Sequence, residues 1–369
     1  MPLALTLSAY VARRFAAMVL IMLLALTLLV ALFDFIELLR RAATRADAGF
    51  ALVLQIAALR LPYVALQILP FAVLLGGIIA FWRLSRASEL VVARAAGVSA
   101  WGFLAGPMLV AVCLGALGVT VLSPLSAGML SRAERLDATY LRNAAGPATL
   151  AGGRLWLRQA DNALEPGGVI ILAGRPEAGQ GGFGLKDVSL WRLSPTDRPL
   201  ERVESPQARL VAGEWRLESA VVFGTNRQPQ LPRAMTLPTQ LTPDNIEDSF
   251  ASPDTLSFWS LPEFIQVLES SGFSAMKHRL HLHSLLSLPL LCVAMALLAA
   301  GFSMGQPRRG GVARTLGLGV SAGFALFLLD KVAEEFGQAG TLPVELAAWA
   351  PSLAGLMLAL ALLLHLEDG

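Results

Sequence analysis

Long apolar runs and polar segments alternate along the 369-residue chain, with three apolar runs before a polar middle and three after it. Each run is close to the length of about 20 residues that a helix needs to cross the hydrocarbon core of a bilayer. The pattern therefore predicts about six transmembrane helices. They lie near Phe15–Phe33, Pro62–Trp82, Trp101–Leu122, Ser284–Met304, Val312–Leu329 and Val344–Leu366.

The polar middle, from residue 145 to about 258, is rich in Gly and Pro and contains short runs of alternating hydrophobicity. Such runs predict strands with turns between them, in a sandwich or jelly roll rather than a parallel sheet. No G-x-S-x-G motif, His/Asp/Ser set or metal-ligand spacing occurs there, so we do not expect catalysis. The predicted strands are Arg154–Gln159, Val169–Arg175, Leu185–Leu193, Gln207–Val211, Trp215–Phe223 and Met235–Leu241.

The predicted fold is an α-helical integral membrane protein with an inserted all-β, jelly-roll-like domain. Residues 1–143 carry the first three spans and a short helix at 86–97, and residues 144–258 form the β domain. Residues 259–283 form a linker helix, begun by the capping box Ser260-Leu-Pro-Glu263, and the entry to the membrane. Residues 284–369 carry the last three spans.

Composition and charge fit this plan and set its orientation. The chain is 55% hydrophobic and 15% charged, with net charge +2, which excludes a soluble domain and gives no basic field for nucleic acid. By the positive-inside rule, arginines such as Arg13, Arg83 and Arg308 place the β domain outside the cytoplasm. The outer loop with Arg45 and Arg60 is an exception, and the inverted orientation remains the alternative.

The connection Ser88–Ser99 between the second and third spans has the signals of a short helix. Ser85 or Ser88 can cap its start, Gly97 can end it, and Glu89 suits the first turn. It is either a docking element for another protein or a surface helix that only joins two spans.

Charged residues collect at three further places near the predicted membrane boundary. The group near residue 34 either anchors its helix at the headgroups or faces an internal cavity that binds an anionic headgroup. The arginines near residue 135 either lie on a solvated helix of mixed charge or bind phosphate. The group near residue 330 either pairs internally or faces the same cavity. We expect Asp330 to pair with Glu334 and Lys331 with Glu335, at i,i+4. The three groups are Asp34, Glu37, Arg40 and Arg41; Arg132, Arg135 and Arg142; and Asp330, Lys331, Glu334 and Glu335.

His278, His281 and His283 are close in sequence, but their spacing matches no helical or zinc-finger ligand set. We expect interfacial anchoring and no metal. The chain also lacks a P-loop and a chain of ionisable residues deep in its spans. Energy for transport would therefore come from another polypeptide.

Ser88-Glu89-Leu90, followed by Arg94-Ala-Ala-Gly97-Val-Ser99, resembles the segment between the second and third spans of the lipopolysaccharide-export permeases, the LptF/LptG family. The similarity extends along essentially the whole chain. Asp-Phe-Ile-Glu-Leu-Leu-Arg-Arg at 34–41 favours the LptG type.

The resemblance implies two groups of functional residues. One is a coupling helix that inserts into a cytoplasmic ATPase, with Ser88, Glu89, Leu90, Arg94 and Gly97. The other binds lipopolysaccharide, near a lateral gate where the fifth span lies beside the first. Asp34 departs from the family, in which a lysine is found at this place. The implied lipid-binding residues are Asp34, Glu37, Arg40, Arg41, Arg132, Arg135, Asp330 and Lys331.

The resemblance also implies a multi-pass protein of the bacterial inner membrane with its β domain in the periplasm. Expected partners are a homologous permease subunit (LptF type), an ATPase dimer (LptB type) that binds ATP and Mg, a single-span protein (LptC type) and a bridge protein (LptA type). No cofactor is expected in this chain. Alternatives are export of another lipid or lipoprotein, or a mechanotransmitter whose β domain is the working part. A membrane-embedded enzyme lacks candidate catalytic residues.

Overall fold

A computed structural model describes most of the chain. The described residues are 2–43, 49–87, 89, 100–142, 148–151, 154–161, 168–179, 182–196, 198–211, 213–224, 228–239, 252–270, 274–304 and 312–367. Contacts divide the chain into a helical unit and a β unit. The helical unit comprises Met1–Asn143, Pro253–Pro262 and Met276–Gly369, and the β unit comprises Ala144–Ser252 and Glu263–Ala275.

Helices occur in every region where the apolar runs predicted a span. The third span is continuous, because α3 passes through a π-helical stretch into α4 and ends in a second π-helical stretch. The helices are α1 (Pro2–Ala42), α2 (Phe50–Arg86), α3 (Ala100–Leu117), α4 (Ser123–Leu136), α5 (Leu261–Ser270), α6 (Met276–Met304), α7 (Val312–Gln338) and α8 (Val344–Glu367). The π-helical stretches are Gly118–Leu122 and Asp137–Arg142, and a 3₁₀ turn covers Pro253–Thr255.

Among the described residues, five helices are long and apolar enough to cross a membrane: α1, α2, α3 with its continuation, α6 and α8. The sixth expected span, α7, has 27 residues. Its apolar part is followed at once by Asp330, Lys331, Glu334 and Glu335. The crossing of the bilayer by α7 stays a prediction.

Helix α6 forms the centre of the helical unit. Its most apolar 18-residue stretch is 72% buried, whereas that of α1 is 17% buried. Helices α2, α3, α7 and α8 all pack on α6, and α1 packs on α2 and α3. Among the described residues, α1 and α7 are not packed together in extensive contact. The expectation that the first span lies beside the fifth is therefore wrong within one chain, because α2 and α6 hold α1 and α7 apart.

Glycines allow two pairs of helices to approach at backbone distance. A Cβ atom added to Gly76 of α2 would lie 2.5 Å from the Cα atom of Val19 in α1. One added to Gly115 of α3 would lie 2.5 Å from the Cα atom of Pro289 in α6. In hydrocarbon, helices associate through close packing of small residues of this kind rather than through a hydrophobic driving force.

The β unit contains one seven-stranded antiparallel sheet whose strands follow one another in chain order, β1 to β7. The prediction of an inserted all-β domain is confirmed. The strand order is that of a meander, without the crossovers of a Greek key among the described strands. The strands are β1 (Ala148–Ala151), β2 (Arg154–Asp161), β3 (Gly168–Gly179), β4 (Gly182–Leu193), β5 (Pro199–Val211), β6 (Glu214–Phe223) and β7 (Arg233–Pro238).

The sheet curls so that distant strands meet across its inner face. Gln159 of β2 donates from Nε2 to the carbonyl oxygen of Pro238 in β7 at 3.1 Å, and accepts at Oε1 from the Thr239 hydroxyl at 2.7 Å. Phe183 and Trp215 pack edge to face with ring centroids 6.0 Å apart. The curled meander thus encloses a sandwich-like core, and this explains the alternation of buried and exposed residues along its strands.

A buried ion pair joins two strands of the β unit. Arg192 donates from Nε and Nη2 to the two carboxylate oxygens of Asp161 at 2.6 and 3.0 Å. Both side chains are nearly inaccessible, and Glu201 lies 3.6 Å from Arg192. The bidentate geometry satisfies both charges, which is the condition for tolerating an ion pair in a core.

The close approach at Gly76 predicts a specific sensitivity to substitution. Gly76→Ala would force α1 and α2 apart, and overpacking of this kind destabilises by about 1–3 kcal/mol. Thermal unfolding of the purified chain in detergent would show a lower midpoint. The matched control is Gly128→Ala in α4, where an added Cβ meets no atom within 4 Å. An equal effect of the two substitutions would contradict the close-packing interpretation.

Candidate functional site

Glu37, Arg40 and Arg41 form ion pairs with one another on the surface of α1. Arg40 Nε lies 2.8 Å from one carboxylate oxygen of Glu37, and Arg41 Nε lies 2.9 Å from the other. Arg40 is 76% exposed at its side chain. In this part of the predicted group, the acid is therefore engaged by both bases.

Asp34 belongs to a different cluster, which joins three helical segments. Arg60 of α2 binds Asp34 of α1 at 2.9 Å and lies 3.6 Å from Asp137, at the start of the second π-helical stretch. Asp137 is 1% exposed at its side chain, and Arg60 is 17% exposed. Sequence reasoning placed Arg60 in an outer loop and missed this role, because its partners lie far away along the chain.

Arg132 and Arg135 project from α4 as exposed side chains. Among the described residues, neither guanidinium group has an ion-pair partner, and Asp137 from the same region is buried against Arg60. Arg132 and Arg135 are thus exposed, whereas the acid Asp137 is buried. The side chain of Arg142 lies outside the described residues. Two unengaged guanidinium groups three residues apart on one helix suit phosphate recognition.

A cavity of about 320 Å³ lies within the helical unit, among α2, α4, α6 and α7. One part of its wall is apolar and includes Leu66, Phe71, Leu288, Met295 and Phe324. The other part is polar. Its polar wall includes Tyr63, Ser126, Asp254, His281, Ser284, Asp330, Lys331 and Glu334.

The polar wall is built from side chains of four helices and the 3₁₀ turn. The Tyr63 hydroxyl donates to Asp254 Oδ2 at 3.1 Å, and His281 Nδ1 lies 3.5 Å from Asp254 Oδ1. Lys331 Nζ binds Glu334 Oε2 at 2.7 Å. The expected pairs Lys331–Glu335 and Asp330–Glu334 are wrong: Lys331 uses the i,i+3 partner, and two carboxylates repel.

The three neighbouring histidines are packed inside their unit rather than exposed at an interface. His278 is 6% exposed. His281 faces the cavity, and His283 Nδ1 accepts from the indole N–H of Trp349 at 3.4 Å. These rings therefore contact neighbouring helices, and anchoring of this helix start at the membrane interface stays a prediction. The acid beside His281 comes from Asp254, which is remote in sequence.

Of the five residues predicted to contact the ATPase, Glu89 is among the residues that the structure describes. The Tyr10 hydroxyl of α1 donates to Glu89 Oε1 at 3.4 Å. Ser88, Leu90, Arg94 and Gly97 lie outside the described residues. The segment after α2 is thus connected through Glu89 to the first helix.

These features define a class of protein: a multi-pass α-helical membrane protein with an inserted antiparallel β unit, exposed arginines on one helix and an amphipathic cavity between helices.

The family model described as "Lipopolysaccharide export system permease LptF/LptG" matches residues 9–365. The chain belongs to this family. Two relatives are both named "Lipopolysaccharide export system permease protein LptG", from Escherichia coli strain K12 and from Escherichia coli O6:H1 strain CFT073. Each is 25% identical to this chain over 303 residues, covering 80% of this chain and 81% of the relative. The LptG-like pattern at residues 34–41 agrees with this finding.

The Arg60 cluster predicts a strong stability effect. Arg60→Met would remove the guanidinium group that binds Asp34 and lies beside the buried Asp137, and breaking such a buried pair destabilises by about 3–5 kcal/mol. Denaturant-induced unfolding in detergent, followed by circular dichroism, measures the change. Arg40→Ala is the control, because its exposed pair with Glu37 is screened by water and we expect no measurable change. Similar stability of Arg60→Met and the unaltered chain would contradict a stabilising role for Arg60.

Proposed function

We propose that this chain is a permease subunit of an ABC transporter that extracts lipopolysaccharide from the inner membrane and passes it to a periplasmic bridge. The observation that carries the proposal is the family match over residues 9–365, which includes both the helical unit and the β unit. The subunit itself is non-catalytic in this proposal. ATP and Mg bind to a separate cytoplasmic ATPase dimer of the LptB type.

The segment 86–97 is proposed to bind the ATPase and to move with it during ATP hydrolysis. The proposed contact residues are Ser88, Glu89, Leu90, Arg94 and Gly97. The hydrogen bond from Tyr10 to Glu89 supports this proposal, since it connects the segment to α1. Movement at Glu89 would therefore act on α1 as well as on α2. Little of α1 is buried within the chain, which leaves it able to shift.

Arg132 and Arg135 are the proposed phosphate-binding residues. Their exposure and their lack of ion-pair partners among the described residues support this role. Arg40 and Arg41 are weaker candidates, because each is already bound to Glu37. Asp34 is bound to Arg60, and Asp330 and Lys331 lie in an acid-rich wall. A contact of these three residues with lipopolysaccharide stays a prediction.

A homologous LptF-type subunit is the proposed partner in the membrane. Large apolar side chains remain exposed on α1 and α7, including Leu24, Phe33, Phe324 and Phe336. Since the described parts of α1 and α7 make no extensive contact in one chain, a lateral gate of first and fifth spans would form between two subunits. The acyl chains of the lipid would lie among such side chains.

The β unit is proposed to lie in the periplasm, where a strand of the next protein of the export system would add to its sheet. Strands β1 and β7 are the two ends of the strand order, and each pairs with one neighbour. A sheet edge with unpaired backbone groups can accept a strand of another protein. An LptC-type or LptA-type protein would supply that strand.

Removing the two arginines tests the substrate assignment. Arg132→Ala together with Arg135→Ala should weaken binding of purified lipopolysaccharide by about tenfold or more, because hydrogen bonds to charged groups contribute about 1.5–3 kcal/mol each. The measurement is photo-crosslinking yield to lipopolysaccharide in nanodiscs. Arg209→Ala, on an exposed position of β5, is the control. An unchanged yield would assign Arg132 and Arg135 to helix anchoring, and equal loss with an unrelated anionic lipid would favour export of another lipid.

Reversing the charge of Glu89 tests the coupling assignment. Glu89→Lys should reduce copurification of the ATPase and the hydrolysis that depends on lipopolysaccharide, while the melting temperature stays the same. Tyr10→Phe should reduce coupled hydrolysis but keep the ATPase bound, because it removes only the link to α1. Glu335→Lys, at an exposed position of α7, serves as the control. Normal coupling in the Glu89→Lys variant would contradict the proposal.

A further inference from the structure

Three carboxylates and one ammonium group line the polar wall of the cavity. Asp254, Asp330 and Glu334 carry the negative charges, and Lys331 carries the positive charge. Lys331 interacts electrostatically with all three carboxylates. With His281 counted as neutral, three negative charges against one positive leave this wall with an excess of two negative charges. A phosphate or carboxylate headgroup would be repelled here.

The carboxylates differ in the partners that they already have. Glu334 is bound to Lys331, and Asp254 accepts a hydrogen bond from the Tyr63 hydroxyl. Within the described part of the chain, Asp330 has neither a hydrogen-bond donor nor an ion-pair partner, although it is partly shielded from water. A shielded carboxylate without a donor is unfavourable, so a positively charged group with N–H donors would stabilise it.

The apolar part of the cavity wall limits the shape of a ligand that the cavity can bind. Leu66, Phe71, Leu288, Met295 and Phe327 offer an apolar surface for a hydrocarbon chain. The volume of about 320 Å³ is at the small end of ligand-binding pockets. It therefore suits one alkyl chain better than the several chains of a large lipid. Membrane lipid is as apolar as this wall, so moving an alkyl chain from the bilayer into the cavity gains little free energy. Selectivity between ligands must therefore come from the headgroup.

We propose that this cavity binds an amphiphile with one alkyl chain and a primary ammonium headgroup. The ammonium group binds Asp330 and is favoured by the surplus negative charge of Asp254 and Glu334, while the chain lies along the apolar wall. This ligand class is opposite in charge to the phosphates that Arg132 and Arg135 are proposed to bind. The site goes beyond the proposed transport function and does not depend on it.

Native mass spectrometry of the full-length chain, released from nonionic detergent micelles, tests the headgroup preference. The probes are dodecylammonium, dodecyltrimethylammonium and dodecyl sulfate, which share the same alkyl chain. We expect one dodecylammonium per chain and an affinity about tenfold above that of dodecyl sulfate, from one charge-assisted hydrogen bond. Dodecyltrimethylammonium, which has no N–H donor, should bind more weakly than dodecylammonium. Equal binding of the three probes, or preference for the sulfate, would overturn the proposal.

Three variants place the binding in this cavity. Asp330→Asn keeps the shape of the side chain and should remove most of the preference for dodecylammonium. Glu335→Gln also removes one negative charge, but Glu335 is exposed and does not line the cavity, so binding should be unchanged. Ser284→Phe should fill space beside the polar wall and reduce dodecylammonium binding. Melting temperatures show whether each variant folds, and equal effects of Asp330→Asn and Glu335→Gln would overturn the assignment to Asp330.

Discussion

The helical unit depends on backbone-close contact between helices that lie in hydrocarbon. Lipid chains are as apolar as leucine, so burial of apolar side chains does not by itself hold such helices together. Gly76 lets α2 approach the backbone of α1, and Gly115 lets α3 approach the backbone of α6. The hydroxyl of Ser303 in α6 adds a hydrogen bond to the carbonyl oxygen of Ile78 in α2 at 3.3 Å.

Burial of charge imposes a second constraint, which divides the charged residues into structural and available groups. Asp137 is almost inaccessible and is tolerated because Arg60 lies beside it and also binds Asp34. These three side chains join α1, α2 and the end of the third span. They are therefore already engaged in the fold and are not available to bind a substrate. Arg132 and Arg135, on the same continuous helix as Asp137, remain exposed. The separation of roles arises from which side of one helix faces its neighbours.

Sequence periodicity predicted elements well and side-chain partners poorly. Apolar length located the spans, and alternation located six of the strands, because both signals are local. The first half of β5 was missed, since Pro and charged residues weaken the alternation there, and β1 was missed because it has only four residues. The pairs Asp34–Arg60 and Asp254–His281 join residues that are distant in sequence, so no spacing rule finds them. The resemblance to the family supplied the functional hypothesis, whereas the acid-rich wall became visible only when α7 was placed beside the 3₁₀ turn.

The unequal burial of the helices bears on how force would pass through this subunit. Helix α6 is surrounded by four other helices, so moving it would disturb most of the core. Helix α1 is held on one side, by α2 and α3, and its remaining surface is exposed within the chain. A displacement that enters at Glu89 reaches α1 through Tyr10 and meets less packing there than anywhere near α6. At the far end of α1, the Asp34–Arg60 pair resists separation from α2. Under the proposed coupling, α1 would therefore tilt about the end that Arg60 holds rather than slide along the bundle.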